Sequence, residues 1–427
     1  MELMLFERAR RVFPGGVNSP ARALKHLPTP LVARDASGPY LYTDRGQLVD
    51  YCLAFGAVIL GHAHPRVRRV VEEQLGRGWI YALLTEQEVE FAERIKRHMP
   101  SVEKMRIVNS GTEATMNAIR LARGFTKRDV VIKFDGNFHG SHDYVLVRAG
   151  SGAATWGVPT SAGVPQDVIK LTAVAPYNDV DAFVKAAREV GNRLTAVIAE
   201  PIAGNYGLII PDREFIKALR EETERVGALL IFDEVITGFR VGLSGAQGYF
   251  GIRPDLTTLG KVIGGGFHIG IFGGRTDVMD LVAPSGPVYN AGTYNAHPVS
   301  VAAGLAVLTE LETGEPYRVA DEAAQRLAKA VEDAAGRAGF DVVVKQIASM
   351  FQFYFKKGDV KTPQDVRESD EKLYLKLHEI ALRHGVYLAP SQYEVNFTSA
   401  AHTREVVEQT SAALEEAFKQ LKREVGR

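Results

Sequence analysis

Cysteine is nearly absent from this chain of 427 residues, since Cys52 is the single example. One thiol cannot form a disulfide within the chain, and it excludes a metal cluster held by several cysteine ligands. Such sparse use of cysteine is typical of proteins in a reducing compartment. We therefore expect a cytoplasmic protein without internal disulfide bonds.

The sequence also lacks an excess of charge of either sign, because 51 Lys and Arg residues balance 51 Asp and Glu residues. A broadly basic surface for nucleic acid or anionic lipid is therefore not expected. Long hydrophobic runs are missing too, and the apolar stretch LAFGAVILG at 53–61 is less than half of the ~20 residues that span a membrane. We expect no membrane span, and the first residues lack the apolar core of a signal peptide.

The order of strand-like and helix-like segments predicts an α/β fold. Alternating residues around the turn DRG indicate a β-hairpin near Pro39–Cys52. From about Pro65 onward, short β-rich runs alternate with helical segments, which is typical of a mostly parallel sheet with helices on both faces. The runs predicted as strands include DVVIKFDG, DYVLVRAG, DVIKL, TAVIAEP and GALLIFDEV.

The pattern changes near residue 311, where longer helices replace the alternating elements. Two of them are predicted at Ala320–Ala338 and Ser369–His384, with short β-like runs between and after them. A chain of this length is too long for one ordinary core. We predict an N-terminal helix and hairpin segment at 1–60, a large α/β domain at 61–310 and a small α+β domain at 311–427.

Lys261 is the one Lys, Arg, Asp or Glu residue in the stretch TTLGKVIGGGFHIG at 257–270. Burying an unpaired ammonium group is costly, so a buried lysine tends to lose its proton. The neutral amine is a nucleophile that can form a Schiff base with a carbonyl group. The alternative is a lysine at a helix end whose side chain reaches solvent.

A phosphate site is predicted in VNSGTEAT at 108–115, where a strand runs through a short turn into a helix. The N–H groups that open the helix, with the hydroxyls of Ser110 and Thr112 beside Gly111, form a suitable cradle for an anion. Alternatively, Ser110 or Thr112 only caps the helix.

Asp233 ends the apolar run in ALLIFDEVITG, and ligands bind at the carboxyl ends of strands in open parallel sheets. Its carboxylate suits a cation such as a protonated ring nitrogen. A structural salt bridge is the alternative, and Glu234 is a candidate for such a role.

Phe138 in GNFHGSHDY at 136–144 can present a flat face to a ring. His139 and His142 lack carboxylate partners at ligand spacing, so no metal site is predicted. Together, a phosphate cradle, an aromatic face, an acid and a reactive lysine match one ligand, pyridoxal 5′-phosphate.

The order SGTEA, FHG, FDEV and GK resembles the class III aminotransferase family, which belongs to the fold type I pyridoxal-phosphate enzymes. Longer stretches agree over essentially the whole chain, among them FPGGVNSPARA at 13–23, EPIAGNYGLIIP at 200–211 and APSQYEVNFTSAAHT at 389–403. The resemblance implies a mostly parallel sheet flanked by helices, a smaller α+β domain, and pyridoxal 5′-phosphate and pyridoxamine 5′-phosphate as the two cofactor forms.

The resemblance also implies roles for single residues. Lys261 would bond to the cofactor and carry protons, Asp233 would pair with the ring nitrogen, and Asn205 would approach the 3-oxygen of the ring. The other residues implied to contact the cofactor are Ser110, Gly111, Thr112, Phe138, His139 and Val235.

The implied partners are a small-molecule substrate and a second copy of the chain. Thr293 would reach the phosphate of the neighbouring subunit, which implies an obligate homodimer. Arg22 would hold the substrate carboxylate, and Glu394 would lie near the substrate's amino groups.

The implied activity is an intramolecular amino transfer that isomerises glutamate-1-semialdehyde to 5-aminolevulinate, an early step of tetrapyrrole synthesis. The alternatives are an intermolecular ω-aminotransferase, an amino-acid racemase on the same fold, or a non-catalytic protein that binds the same cofactor.

Three departures from the family pattern occur. Phe138 stands where Tyr is usual, AFGA at 54–57 replaces SWGP in a wall of the substrate pocket, and FHIG at 267–270 replaces LPVG or FPVG.

A further stretch, GSGAATWGVPTSAGVP at 150–165, combines small residues with prolines. It is predicted to form a lid over the site, with an ordinary surface connection as the alternative.

Overall fold

A computed structural model describes residues 2–147 and 161–426 of the chain. The strands in this part are β1 (Ala33–Ser37), β2 (Tyr40–Thr43), β3 (Gly46–Asp50), β4 (Lys104–Val108), β5 (Val130–Phe134), β6 (Thr172–Ala175), β7 (Leu194–Ala199), β8 (Leu229–Asp233), β9 (Leu256–Gly260), β10 (Gly270–Gly274), β11 (Val343–Ile347), β12 (Met350–Tyr354), β13 (Val386–Tyr387) and β14 (Asn396–Phe397).

Helices connect and cover these strands. The α-helices are Glu2–Val12, Pro65–Leu75, Glu86–His98, Gly111–Thr126, Gln166–Ile169, Val180–Val190, Arg213–Val226, Gly245–Phe250, Thr276–Met279, Pro298–Leu311, Glu315–Ala338, Pro363–Arg367, Glu371–Arg383 and Arg404–Glu424. Short 3₁₀ turns occur at Pro14–Gly16, Pro20–Ala23, Gly191–Arg193 and Lys261–Gly264. A further four-residue turn, Leu53–Gly56, has left-handed φ values at Ala54 and Phe55. None of the helices within the described ranges is long and apolar enough to cross a membrane.

The largest sheet has seven strands in the order β4-β10-β9-β8-β7-β5-β6. β10 runs antiparallel to both of its neighbours, whereas the pairs from β9 through to β6 are parallel. Because β10 reverses direction between β4 and β9, these two strands point the same way. The predicted α/β fold with a mostly parallel sheet is therefore confirmed.

Both faces of this sheet are buried. Phe232 of β8 lies in a core cluster with Phe215 from a covering helix. Its neighbour Ile231 lies in a different cluster with Ile119, from a helix on the opposite face. Successive side chains of a strand point to opposite faces. A strand covered on both sides therefore reads as the continuous apolar run that predicted it.

The prediction of a strand in DVIKL is wrong. Those residues largely form the one-turn helix Gln166–Ile169, and β6 begins afterwards at Thr172. An ion pair of 2.8 Å between Asp167 and Lys170 spans that turn. The apolar residues TAVA that follow pair in parallel with β5, from Thr172 opposite Val131 onward. The spacing of Asp167 and Lys170 fits a helical turn. The strand therefore begins after the DVIKL run, at Thr172, and not within it.

The run DYVLVRAG does not form a regular strand in its described part, 143–147, where residues 143–145 lie in turns. The buried Lys133 explains this difference. Its ammonium group donates to the carbonyl oxygens of Val145 at 3.0 Å and Val147 at 2.9 Å. In the described part of the chain, these two carbonyl oxygens therefore accept hydrogen bonds from a side chain and not from the backbone of a neighbouring strand.

Two smaller sheets complete the fold. β1, β2, β3 and β13 form one of them, and β11, β12 and β14 form the other. The predicted hairpin is present as β2 and β3, whose antiparallel register places Thr43 opposite Gly46. β13 pairs in parallel with β3, and Tyr51 shares a core cluster with Phe353 and Phe418. The hairpin thus packs with the C-terminal part of the chain, and the division at residues 60 and 310 stays a prediction.

The two long C-terminal helices are present with shifted ends. The first begins at Glu315 rather than Ala320, because Pro316 lies in its first turn, where proline is favourable in a helix. The second spans Glu371–Arg383, with the Asp370 carboxylate accepting the N–H of Leu373 as a cap. A proline in the first turn of one helix and a capping aspartate in the other therefore mark these starts more sharply than the apolar periodicity did.

Candidate active site

The residues predicted to hold a cofactor gather at the edge where the parallel strands end. Ser110 follows β4, Phe138 follows β5, Asp233 is the last residue of β8 and Lys261 follows β9. Parallel strands bring their carboxyl ends to one edge, and ligands bind there in open α/β sheets. Distant parts of the sequence meet at this edge.

Asp233 is held by three hydrogen bonds. Its Oδ2 atom lies 2.8 Å from Nδ1 of His139. Its Oδ1 atom accepts from the hydroxyl of Thr258 and from the backbone N–H of Val235, both at 3.1 Å. The residue is 5% exposed. The carboxylate therefore has a fixed orientation at the sheet edge.

His139 reaches Asp233 as a neutral imidazole, because burial lowers the pKa of His139. In that state Nδ1 donates to the carboxylate, and Nε2 carries a lone pair. Nε2 is buried and has no hydrogen-bond partner within residues 2–147 and 161–426. Buried polar atoms are normally satisfied by protein, water or ligand, so this atom fits a site that binds a polar ligand.

Lys261 lies just beyond β9, with a left-handed φ of 46°. Its Nζ atom donates to the carbonyl oxygen of Phe55 at 2.9 Å. Burial lowers the pKa of Lys261, and the positive charge of Arg240 adds to this effect, while the negative charges of Glu394, Glu200 and Asp233 act in the opposite direction. The net shift is downward, so this amine loses its proton more readily than an exposed lysine does.

Glu200 is a residue of the site that the sequence analysis missed. It follows β7, is 3% exposed, and accepts from the backbone N–H groups of Phe138 and Gly204, both at 2.8 Å. The side chain of Asn205 is a further hydrogen-bond partner, and burial, reinforced by the charge of Asp233, raises the pKa of Glu200 to about 7. One carboxylate thereby joins the loop of Phe138 to the loop of Gly204 and Asn205.

A signal for Glu200 existed in the sequence. The acid follows the apolar run TAVIA directly, just as Asp233 ends its own run. Thr258 was missed for a different reason, since threonine inside an apolar run is ordinary in a strand and does not indicate a contact with Asp233.

The SGT stretch opens the helix Gly111–Thr126, and its hydroxyls already have partners. Ser110 caps this helix by accepting from the N–H of Glu113 at 3.2 Å. The hydroxyl of Thr112 accepts from the N–H of Ser141 at 3.2 Å. The first N–H groups of an α-helix have no partner within the helix, so they are the donors that an anion would use here.

Two glycines allow tight packing around this helix start. A Cβ atom at Gly111 would lie 3.1 Å from the side chain of Val235. Gly140 has φ of 98°, and a Cβ atom there would lie 2.7 Å from the Cα of Thr112. Side chains at these positions would collide with Val235 and Thr112, so glycine lets these segments pack closely beside the helix N-terminus.

Phe138 is 37% exposed, so part of its ring surface is accessible to a ligand.

Glu234, the next residue after Asp233, is fully buried and accepts from the backbone N–H groups of Ala246 at 2.6 Å and Gln247 at 3.0 Å. These partners are amides rather than cations, and they anchor the helix Gly245–Phe250.

Arg22 lies in a 3₁₀ turn and is exposed. Its neighbours Pro20 and Ala21 line a pocket together with Glu394. The segment predicted to hold the substrate carboxylate therefore lies beside Glu394. Glu394 is also near enough to Lys261 that its charge acts to raise the pKa of that lysine, so this segment lies on the same side of the sheet as the strand ends.

Thr293 is exposed in a turn. Two residues further on, the Asn295 side chain accepts from the side-chain amide of Asn109 at 3.4 Å, and Asn109 precedes Ser110. The turn that carries Thr293 thus lies near the SGT stretch of its own chain.

Most of the predicted lid at 150–165 lies outside the described residues, which resume at Ser161.

A family model described as aminotransferase class-III matches residues 21–421. A glutamate-1-semialdehyde 2,1-aminomutase from Pyrobaculum arsenaticum is 87% identical over 423 residues, covering 99% of this chain and 100% of that protein. The protein of the same name from Caldivirga maquilingensis is 65% identical over 419 residues, covering 98% of this chain and 97% of that protein.

Solved structures share the fold over the whole described architecture. An omega-transaminase from Sphaerobacter thermophilus has a TM-score of 0.92 at 33% identity, covering 99% of this chain and 98% of that chain. A variant of a glutamate-1-semialdehyde-aminomutase from Pseudomonas aeruginosa PAO1, in complex with PMP, has a TM-score of 0.87 at 26% identity, covering 98% of this chain and 94% of that chain. The resemblance noted in the sequence is confirmed, and the chain belongs to the class-III aminotransferase family.

Proposed function

We propose that the protein is a pyridoxal-phosphate-dependent isomerase that converts glutamate-1-semialdehyde to 5-aminolevulinate in tetrapyrrole biosynthesis. The observation that carries the proposal is the position of Asp233 and Lys261 at the carboxyl ends of the neighbouring parallel strands β8 and β9. It occurs in a chain that is 87% identical to a relative named for this reaction. An acid for the ring nitrogen and a lysine for the aldehyde are what this cofactor requires.

The residues at the strand ends suit pyridoxal 5′-phosphate and pyridoxamine 5′-phosphate. The helix start at Gly111 supplies N–H groups for a phosphate, and Gly140 lets its loop pack closely against Thr112 at that helix start. The buried Nε2 of His139 has no partner within the described ranges and suits a polar group of the ligand. The accessible part of Phe138 suits the flat ring.

When bound, the cofactor supplies a ring that accepts the electrons released as a proton leaves the substrate carbon. Asp233 favours a protonated ring nitrogen, because a nearby carboxylate stabilises positive charge. His139 and Thr258 hold the carboxylate in a fixed orientation. Their part is therefore to orient Asp233 and preserve its charge.

Lys261 is placed to move the protons that an amino transfer requires. Burial lowers the pKa of its amine, which makes the neutral amine more available as a base. The carboxylates of Glu394, Glu200 and Asp233 favour the protonated form, so the same group can return the proton. A group that both takes and gives a proton suits a reaction with two successive transfers.

Arg22 and Glu394 are proposed to bind the substrate at its two ends. The guanidinium group of Arg22 matches a carboxylate in a two-point hydrogen bond. Glu394, beside the Arg22 segment, attracts the substrate's amino groups. Such a pair would align a five-carbon substrate that carries an acid at one end and an amine near the other.

We further propose a homodimer in which Thr293 lies near the phosphate of the neighbouring subunit. Thr293 is exposed in the single chain. Large apolar side chains are exposed as well: Trp79 by 63%, Leu83 by 78%, Leu84 by 81% and Tyr289 by 72%. Exposed apolar surface of this kind is typical of a protein contact.

Light scattering of the full chain should give twice the single-chain mass of 46.7 kDa over a wide concentration range. A monomer that retains full activity would contradict the homodimer.

We also propose a cytoplasmic location, supported by the single, buried cysteine, and a division of the chain at residues 60 and 310. Cell fractionation and limited proteolysis test these two points.

The deciding experiment supplies glutamate-1-semialdehyde alone, without any other amine donor or acceptor. The isomerase should form 5-aminolevulinate in full yield from this single compound. An intermolecular aminotransferase is the second candidate, since an omega-transaminase is 33% identical to this chain. It would need a second substrate for continued turnover, so product formation that depends on an added amino acid would contradict the proposal.

A further inference from the structure

The turn Leu53–Gly56 has an unusual backbone. Leu53, Ala54 and Phe55 have φ values of 46°, 53° and 57°, and Gly56 follows at 88°. Residues with a Cβ atom are disfavoured in this left-handed region. Such a conformation persists only where the surrounding structure imposes it, and it often occurs at functional sites. Three residues of this kind in succession indicate a turn that is held from outside.

Asp50 holds the start of the turn. Its Oδ1 atom accepts from the backbone N–H groups of Cys52 and Leu53, both at 2.9 Å. Its Oδ2 atom lies 2.7 Å from Nε2 of His62. Since Asp50 is only 1% exposed, little water competes for these contacts. The first residues of the turn are therefore fixed by one buried carboxylate.

Arg240 holds the end of the turn. It is fully buried, and its Nη2 atom donates to the carbonyl oxygen of Gly56 at 2.7 Å. Its Nη1 atom donates to the hydroxyl of Ser349 at 2.8 Å, and the guanidinium group lies 4.8 Å from the ring centre of Phe397. Burial lowers the pKa of Arg240 to about 10, so it stays charged at neutral pH.

Between these two anchors the turn presents the carbonyl oxygen of Phe55 to Lys261. The distance from Nζ to this oxygen is 2.9 Å. A carbonyl oxygen accepts hydrogen bonds and cannot donate one. An amine that donates one N–H to it therefore keeps its lone pair directed elsewhere, and the direction depends on where the turn is held.

We propose that the turn Leu53–Gly56 positions the free amine of Lys261 for proton transfer, and that Asp50 and Arg240 are positioning residues that act through the turn. The inference rests on the proposed function, because it concerns the stage at which Lys261 is not bonded to the cofactor. It also gives the AFGA departure at 54–57 a physical meaning, since the contact uses a backbone carbonyl and does not need the side chains of SWGP.

Ala54→Gly tests the turn without changing a charge. Glycine adopts the left-handed φ of this position without the penalty that alanine incurs, and it also reaches backbone conformations closed to alanine, so the variant changes how the carbonyl of Phe55 is held. Ala63→Gly is the matched control, because Ala63 also has a left-handed φ, of 50°, and loses the same methyl group. The contact to Lys261 is made by Phe55, so this control leaves the acceptor itself unchanged.

The measurement uses the full chain saturated with pyridoxamine 5′-phosphate, a form without an aldehyde that leaves the amine of Lys261 free. The rate of acetylation of Lys261 is followed against pH by peptide mass spectrometry. Lys170, whose side chain is 72% exposed, serves as the internal reference. Ala54→Gly should change the Lys261 rate about two- to tenfold, the range expected for one lost hydrogen bond, and Ala63→Gly should leave it unchanged.

Arg240→Lys provides an independent arm. It keeps the positive charge, which also acts directly on Lys261, but lacks the fork that reaches both Gly56 and Ser349. It should therefore alter the pH profile of Lys261 labelling as Ala54→Gly does. Wild-type labelling profiles in both variants would overturn the inference. If Arg240→Lys does not fold, the comparison of Ala54→Gly with Ala63→Gly decides alone.

The two proposals fail in different ways. If the proposed function is wrong, the wild-type protein itself will not bind pyridoxamine 5′-phosphate or will form no product from glutamate-1-semialdehyde. If only the role of the turn is wrong, the wild type will bind and turn over normally, and the variants will label like it.

Discussion

Two buried carboxylates end neighbouring parallel strands, and their surroundings differ. β7 and β8 pair with Ala199 opposite Phe232, which places the following residues, Glu200 and Asp233, side by side. Asp233 is held by the side chains of His139 and Thr258 and by one backbone N–H. Glu200 is held by two backbone N–H groups, from separate loops, and by an amide side chain.

The difference separates two tasks at one edge of the sheet. The partners of Asp233 orient its carboxylate toward a bound cation. The partners of Glu200 use its oxygens to join the loops of Phe138 and Asn205, while burial raises the pKa of Glu200 to about 7. Equal positions in the fold therefore acquire different chemistry from the groups that surround them.

Asp233→Asn should give the largest effect in this comparison. Asparagine keeps the shape and the hydrogen bonds to Oδ1, but it has no charge to favour a protonated ring nitrogen. We expect kcat for 5-aminolevulinate formation to fall by at least about 100-fold, the range typical of losing a group that supports proton transfer. A direct product assay with saturating cofactor measures this change, and a near-normal rate would assign Asp233 to structure alone.

Glu234→Gln is the control for that variant. Glu234 is also a fully buried acid, but its partners are the amides of Ala246 and Gln247. Replacement should lower the melting temperature while the cofactor absorption spectrum stays the same. A spectrum altered as strongly as in Asp233→Asn would show that the two neighbouring acids are not functionally distinct.

Glu200→Gln should have the next largest effect, on cofactor affinity rather than on chemistry. The amide has one accepting oxygen, so one of the two N–H groups from Phe138 and Gly204 loses its acceptor. A buried donor left without a partner costs about 1–3 kcal/mol, and we expect cofactor binding to weaken by about tenfold. Fluorescence titration with pyridoxamine 5′-phosphate measures it, and unchanged affinity would contradict the proposed tie between the loops.

The stability of the protein should depend on the protonation of Glu200. Its folded-state pKa is raised to about 7 from 4.5, so the folded protein binds this proton more tightly than the unfolded chain does. The resulting stabilisation is present below pH 4.5 and is lost as the pH rises toward 7, by roughly 3 kcal/mol at most. Melting temperatures from pH 5 to pH 8 should therefore fall less in Glu200→Gln than in wild type.

Thr258→Val should have the smallest effect. It removes one hydrogen bond to the Asp233 carboxylate and leaves the contact with His139 in place. Two other hydrogen bonds still hold that carboxylate, so we expect kcat to fall by only about two- to tenfold. Thr257→Val is the matched control on the same strand, because the Thr257 hydroxyl contacts Gln247 instead. An equal loss of kcat in both variants would assign the effect to packing of β9.

The strands of the central sheet were predictable because burial on both faces leaves continuous apolar runs. The DVIKL run was misassigned because a short helical turn and a short strand look alike over four or five residues. Glu200 was missed because its partners are backbone N–H groups, which carry no signature in a sequence. The turn Leu53–Gly56 was equally hidden, since Leu, Ala and Phe have no preference for left-handed φ.

By itself, the sequence determined which chemistry is possible: an isolated lysine after an apolar run, an acid ending another, and a helix start with glycine and hydroxyls. These are local properties, set by residue type and by the periodicity of burial. Only the tertiary structure decided that Asp233 meets His139 and Thr258, that Glu200 joins two loops, and that the carbonyl of Phe55 meets Lys261 across 206 residues of chain. Those contacts depend on strand order and on buried anchors far apart in sequence, and hydrogen bonds to backbone atoms do not require particular side chains.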